Sequence, residues 1–221
     1  MKALASAVLF DLDGTVIDSA PDLAGAANEM RRVRGLPDAA YDRLRAMVGS
    51  GARGLVGEAF GVSPGDDDFE ALRDEFLARY EARMTLDTRV FEQVEHLLRE
   101  LENLSVPWGI VTNKSIRLAA PISRALGLFD RAAVVIGGDS TPYSKPHPEP
   151  LLEAARRMQV DPAACFYVGD DPRDVQAGLA AGMRTVAVKW GYLGDTLPIE
   201  AWGAHHIADN PKDLLQWLAM A

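Results

Sequence analysis

Five short and almost uninterrupted apolar runs constrain this chain more than any other feature. They are Ala7–Phe10, Trp108–Val111, 133–136, 166–168 and 185–188, with His206–Ala208 as a weaker sixth. Runs without polar alternation suit strands covered on both faces. Helical patterns separate the later runs, at 92–101, 115–126, Glu149–Met158 and 174–181. A last helix is expected near 212–218, with Pro211 at its start. Strands alternating with helices predict an α/β fold, a Rossmann-like doubly wound parallel sheet with helices on both faces.

Residues 18–86 break this rhythm. They hold no convincing strand, but helical stretches at 22–34, 41–47, 52–60 and Phe69–Arg83. Turn signals separate them at Gly35-Leu36-Pro37, Gly49-Ser50-Gly51 and Ser63-Pro64-Gly65. The expected organisation is therefore a core domain of residues 1–17 and 87–221, interrupted by a helical-bundle cap of residues 18–86. The one biased run, Asp66-Asp67-Asp68, reads as a solvated helix N-terminus, where negative charge complements the helix dipole.

Composition narrows the function classes. At 221 residues, 48% hydrophobic and 25% charged, the chain can bury a large core as an ordinary soluble protein. A formal net charge of -9 argues against nucleic acid or an anionic membrane as partner. It leaves room for an anionic small molecule, because a bound cation and a few placed bases reverse the sign locally. The single cysteine, Cys165, permits no intrachain disulfide and suits a reducing compartment. The first ten residues look faintly like a signal peptide, but the apolar run is short and stops at Asp11. With no apolar run of membrane-spanning length, the cytoplasm is the expected location.

Four motifs carry chemistry, each at the end of an expected strand or in the loop beyond it. In open parallel sheets that edge faces the ligand crevice. The first is Asp11-Leu12-Asp13-Gly14-Thr15. Two carboxylates at i and i+2 leaving a buried strand are costly to desolvate unless a cation or protons hold them; a simple Asx-turn is the competing reading. The second, Ile110-Val111-Thr112-Asn113-Lys114, offers a hydroxyl and backbone amides at a helix entry, suited to phosphate oxygens or to plain N-capping. The third, Ser144-Lys145-Pro146-His147-Pro148, places a lysine whose backbone the prolines restrict. Taken alone, Lys145 also reads as a solvent-facing loop lysine. His147 between two prolines reads as a turn residue rather than a general base. The fourth, Val168-Gly169-Asp170-Asp171-Pro172-Arg173-Asp174, supplies carboxylate oxygens for a hard cation such as Mg²⁺. For Asp171, helix capping and metal ligation stand as equal alternatives.

On these four motifs, in this order and across its whole length, the chain resembles phosphatases of the haloacid dehalogenase superfamily with a helical cap after the first motif. The resemblance implies Asp11 as nucleophile and Mg²⁺ ligand. It implies Asp13 as the acid that protonates the leaving oxygen and then activates water, its carbonyl also ligating the metal. Thr112 and the neighbouring Asn113 amide would hold phosphate oxygens, Lys145 would pair with phosphate and Asp11, and Asp170 would complete the ligand set. Asp174, with Asp171, would support the metal site. Asp13 also separates reactions within the superfamily, since dehalogenases lack an aspartate there and have no alkoxide leaving group to protonate.

Within the superfamily the likeness is to the phosphoglycolate phosphatase branch, on residues 7–15, 111–114, 135–139, 145–150 and 168–170. It extends to the N-acetylmuramic acid 6-phosphate phosphatases, on 109–114, Ala120-Pro121-Ile122, the Gly-Asp-Asp form of the fourth motif and Trp202-Gly203-Ala204. Gly49-Ser50-Gly51-Ala52-Arg53 resembles the cap loop that dips toward substrate. Gly51 would permit close approach, and Arg53 would read a substrate carboxylate or else stand as an exposed helix residue. The implied partner is a small phosphorylated metabolite, met by a monomer or homodimer. Two readings from other classes are a phosphomutase and a non-catalytic binding protein. Gly169 stands where the relevant mutases often carry an acidic residue, and no nucleophile or metal ligand is missing.

Overall fold

The computed structural model describes residues 5–194 and 197–220. The first four residues of the signal-like start therefore lie outside the described residues, as do both outer ends of the expected core domain. The chain divides into two units, one of Met1–Ile17, Val90–Gly191 and Thr196–Ala221, the other of Asp18–Arg89 and Tyr192–Asp195.

The first unit is a six-stranded sheet. Its strands are β1 (Ala7–Phe10), β4 (Trp108–Val111), β5 (Val135–Ile136), β6 (Cys165–Gly169), β7 (Arg184–Val188) and β8 (His206–Ala208). Their spatial order is β5-β4-β1-β6-β7-β8, and every described pairing is parallel. The chain reverses its order of strands beside β1, which makes that strand's carboxyl end the switch point of the sheet. Register lines up the chemistry: Phe10 is level with Ile110 on β4 and with Val168 on β6. The residues that leave these three strands are Asp11, Thr112 and Asp170. The edge strand β5 is shorter than the run 133–136, although Ala133 N still donates to Trp108 O and Val134 O accepts from Ile110 N.

Helices α5 (Glu92–Asn103), α6 (Ile116–Ala125), α7 (Glu149–Met158), α8 (Pro172–Ala180) and α9 (Pro211–Met220) connect and follow the strands. On one side Leu9, Val111, Ile136 and Tyr167 pack with Leu151, Ala154 and Ala155 of α7 and with Ala177 of α8. Burying such side chains is worth about 1.5–3 kcal/mol each for the large apolar ones. Helix α8 begins two residues before the periodicity suggests, because Asp171 caps it and Pro172 fits its first turn.

The second unit is helical: α1 (Ala20–Val33), α2 (Tyr41–Ala46), α3 (Gly51–Phe60) and α4 (Phe69–Arg83), with Leu23, Met30, Leu44, Leu55, Phe76 and Tyr80 buried in it. The run 66–68 is exposed at the head of α4, with Asp68 in the N-cap position. This unit returns to the sheet at 89/90 rather than at the expected 86/87, and the buried Asp22 carboxylate accounts for the difference. Its Oδ2 accepts from Asp87 N at 3.0 Å, Thr88 N at 2.9 Å and Thr88 Oγ1 at 2.8 Å, tying these residues to α1. A second departure is Tyr192, distant in sequence but part of the helical unit. Its hydroxyl donates to Asp18 Oδ1 at 2.6 Å and accepts from Ser19 N and Ala20 N. The two-residue strands β2 (Ile17–Asp18) and β3 (Arg89–Val90) pair at the crossings and were too short to show as apolar runs. No helix among the described residues is long and apolar enough to cross a membrane.

Candidate active site

The turn after β1 is held by its own backbone. Ile17 N and Val16 N donate to Leu12 O at 3.0 and 2.9 Å, and Gly14 N donates to Ile17 O at 2.9 Å. Gly14 sits at φ 83°, a conformation that glycine adopts without a side-chain penalty. Asp11 N is itself bonded to Val168 O at 2.9 Å, so the nucleophile candidate leaves the sheet still anchored to β6.

Lys145 is the centre of the charge arrangement. Its ammonium lies 2.8 Å from Asp11 Oδ1 and 2.7 Å from Asp174 Oδ1. It also donates to Tyr167 Oη at 2.8 Å and to Val111 O at 3.1 Å. The loop that carries it is clamped by Asn113, whose amide donates to Lys145 O and accepts from Lys145 N, both at 2.9 Å. The Asn113 side chain is thus bound to the loop; its expected phosphate contact falls to the backbone amide alone. The lysine is buried, so the loop-lysine reading is set aside.

Burial works to discharge Lys145, but Asp11 and Asp174 outweigh it and push the ammonium up to about 12. For Asp174, burial is the larger influence. It raises the carboxyl to about 7, against the pull of Lys145 and with a further push from Asp11. One ammonium serves two carboxylates, and the more deeply buried of them is the less well compensated. Tyr167 is held well above the usual phenol value by burial and then by Asp174 and Asp11, so it stays protonated.

Asp11, Asp170 and Asp174 each place a carboxylate oxygen within 4.8 Å of the other two. This donor set is all oxygen, and two of its carboxylates share one ammonium. It fits a hard divalent cation by both ligand type and charge. Asp170 is aimed by Thr15, whose Oγ1 donates to Asp170 Oδ1 at 2.8 Å. Thr15 is held in turn through its carbonyl by Trp190 Nε1 at 3.1 Å. Asp174 also closes a capping box: its Oδ2 accepts from Asp171 N at 3.1 Å, while Asp171 caps α8 in return.

Asp171 itself is outside this cluster. Its Oδ1 accepts from Arg173 N at 2.8 Å and Arg173 Nε at 2.7 Å, and its Oδ2 meets Arg173 Nη2 at 2.7 Å. Of the two open readings, the geometry favours capping. The Asp13 carboxylate also stands apart, with Lys114 Nζ 2.8 Å from its Oδ1. Thr112 is buried, and its hydroxyl accepts from Lys114 N at 3.2 Å. His147 is exposed, stacks on Tyr143 and accepts from Glu149 N at 3.1 Å, the turn role its flanking prolines suggested. Gly51 and Arg53 belong to the helical unit. Gly51 opens α3 at φ 63°, and Arg53 is exposed in the first turn.

Three participants escaped the motif reading: Tyr167, Thr15 as the holder of Asp170, and Lys114 as partner of Asp13. Tyr167 had a signal, since a phenol inside an otherwise apolar buried strand needs a hydrogen-bond partner.

Comparison with known proteins places the chain. The family model described as haloacid dehalogenase-like hydrolase matches residues 5–182. An N-acetylmuramic acid 6-phosphate phosphatase of Pseudomonas putida is 43% identical over 94% of this chain and 93% of its own length. A phosphoglycolate phosphatase of Xanthomonas campestris pv. campestris is 47% identical over 94% of each chain. The crystal structure of a predicted phosphoglycolate phosphatase from Haemophilus somnus superposes with a TM-score of 0.85 at 28% identity, covering 98% of this chain and 99% of that one.

Proposed function

Because the chain belongs to the haloacid dehalogenase-like hydrolases and is a phosphatase, we propose that it hydrolyses a small carboxylate-bearing phosphate monoester through an aspartyl-phosphate on Asp11. The observation that carries this reading is the buried Lys145 ammonium shared between Asp11 and Asp174, beside the carboxylate of Asp170.

Asp11 attacks phosphorus as the ester oxygen departs, and that oxygen takes the proton of the Asp13 carboxyl. Water then gives a proton back to Asp13 and attacks the aspartyl-phosphate, releasing inorganic phosphate and restoring Asp11. Splitting hydrolysis into two displacements is the gain from a carboxylate nucleophile. Lys145 offsets charge on the transferring group, the main electrostatic task in phosphoryl transfer. The Thr112 hydroxyl, which accepts from Lys114 N, keeps its proton for a phosphate oxygen. One Mg²⁺ held by Asp11, Asp170 and the Asp13 carbonyl, with Asp174 in support, would supply further neutralisation of the phosphoryl oxygens when bound. The helical unit would act as the cap that the resemblance implies, with Arg53, in the first turn of α3, as the candidate reader of a substrate carboxylate.

Phosphoglycolate is the first candidate substrate and muramic acid 6-phosphate the second. Relatives of both names match over nearly their whole length at 47% and 43% identity. Cys165 is buried, with its thiol pushed up to about 11 by burial and then by Asp161, consistent with a reduced cytoplasmic enzyme. Purified enzyme tested against a panel of phosphate esters that includes both candidates settles the choice. A kcat/KM for one at least about tenfold above the rest identifies it, and no hydrolysis of any ester overturns the reading.

A further inference from the structure

We propose that Lys114 is the positioning residue of the acid, holding the Asp13 carboxylate in the orientation from which it serves the leaving oxygen. This rests on the reading of Asp13 as acid and base given above.

Lys114 is held first through its backbone. Its N–H donates to Thr112 Oγ1 at 3.2 Å, and its carbonyl accepts from Gly138 N at 2.8 Å. The Gly138 contact needs glycine, because a Cβ there would lie 2.3 Å from Asn113 O. Lys114 is therefore fixed from two sides just beyond β4, and its side chain reaches the neighbouring turn after β1. There Nζ stands 2.8 Å from Asp13 Oδ1. The lysine side chain is 8% exposed and that of Asp13 18%, so this is no solvent-screened surface pair. The turn that bears Asp13 is itself rigid, through the bonds of Gly14, Val16 and Ile17 described above. Two fixed backbones joined by this partly buried ion pair leave the carboxylate little rotational freedom.

The consequence falls on one step. When the P–O bond to the alcohol breaks and the Asp11–phosphorus bond forms, the proton of Asp13 passes to the alcohol oxygen. The carboxylate left behind faces an ammonium already in place. In the second displacement the same carboxylate, held the same way, receives the proton of the attacking water. Lys114 thus acts through Asp13 and touches neither phosphorus nor the departing oxygen.

The test compares leaving groups. Lys114→Met and Lys114→Arg are assayed beside Asp13→Asn for kcat/KM on phosphoglycolate, whose leaving group is an alkoxide, and on a dinitrophenyl phosphate, whose leaving group needs no proton. General acids contribute on the order of 10²–10⁴-fold. Lys114→Met is expected to lose at least about tenfold on the alkyl ester and under about threefold on the aryl ester, with Lys114→Arg recovering most of the loss. Equal losses on both esters, or a loss confined to KM for the carboxylate-bearing ester, would overturn the assignment in favour of a structural or anion-reading lysine. Should Lys114→Met fail to fold by circular dichroism, Lys114→Gln takes its place with the same expectation. If Asp13→Asn discriminates between the esters and the Lys114 variants do not, only the role of Lys114 falls. If Asp13→Asn does not discriminate, the acid assignment falls first and this inference with it.

Discussion

Lys145 Nζ and Asp174 Oδ1 stand 2.7 Å apart, with each side chain 2% exposed. The same ammonium is 2.8 Å from Asp11. Removing one partner of a buried pair is far more harmful than the pair is helpful, because a charge is left without compensation. Lys145→Met should therefore lower stability by about 3–5 kcal/mol. Urea denaturation in chelator checks this, and a loss below about 1 kcal/mol would show that water reaches these carboxylates.

The same pair gives a pH signature in the metal-free protein. Asp174 is raised from 3.8 to about 7 in the folded state, by burial against the pull of Lys145. Between those values the native state holds a proton that the unfolded state has released. Stability from this group is therefore full below pH 4 or so and lost as pH rises through about 7. Lys145 acts at the other end: its contribution is full below 10.5 and lost above about 12. Asp174→Asn should flatten the fall between acid and neutral pH. Denaturation midpoints of both proteins across that window measure it, and parallel curves would remove Asp174 as the cause.

Asp11→Asn should abolish turnover and leave the circular dichroism spectrum unchanged, since the amide keeps the shape but is a poor nucleophile. Wild-type enzyme quenched during turnover of labelled ester should carry hydroxylamine-sensitive phosphate, and the variant none. Stripping divalent cations should stop hydrolysis, and Mg²⁺ should restore it. Ca²⁺ should not, since its looser and larger coordination shell can engage both Asp11 oxygens. Full activity after verified metal removal would refute the cation assignment.

Much of this could be read from the residues. Uninterrupted runs such as Ala7–Phe10 and Trp108–Val111 are strands with those bounds, because a strand buried on both faces has no polar residue until it ends. The same logic put Asp11, Thr112 and Asp170 at one edge, since parallel register follows once the strands are known. What stayed hidden depended on partners far apart in sequence. Asp22 carries no local sign that it will gather the amides of Asp87 and Thr88. Tyr192, beyond β7 and far from α1 in sequence, gives no hint that it caps the start of α1. Lys114 received no role from its motif, because its partner, Asp13, lies 101 positions away.

Gly191 offers a test of the proposed cation site without altering any of the three carboxylates. A Cβ at this position would lie 2.2 Å from Asp170 Cβ, so Gly191→Ala must displace the aspartate. Altering groups that orient ligands typically lowers metal affinity by about 10–100-fold. Calorimetric titration with Mg²⁺ should show a loss of that size in a folded variant. Unchanged affinity would mean that Asp170 does not hold the cation.

Arg53 carries the proposed selectivity for a carboxylate-bearing ester. It lies in the first turn of α3, behind Gly51, with its side chain open to solvent. An arginine so placed either reads an anionic group of the substrate or does nothing specific. A charge-assisted bond to a carboxylate contributes about 1.5–3 kcal/mol, which corresponds to roughly one to two decades in kcat/KM. Arg53→Ala should therefore lose about 10–100-fold on phosphoglycolate and little on a simple aryl phosphate, which has no carboxylate to read. Arg53→Lys should recover only part, because a single ammonium cannot match the two-pronged guanidinium. Equal losses on both substrates would assign Arg53 to the fold or to phosphate itself. No loss on either would leave it an ordinary surface residue and send the search for the specificity group elsewhere in the helical unit.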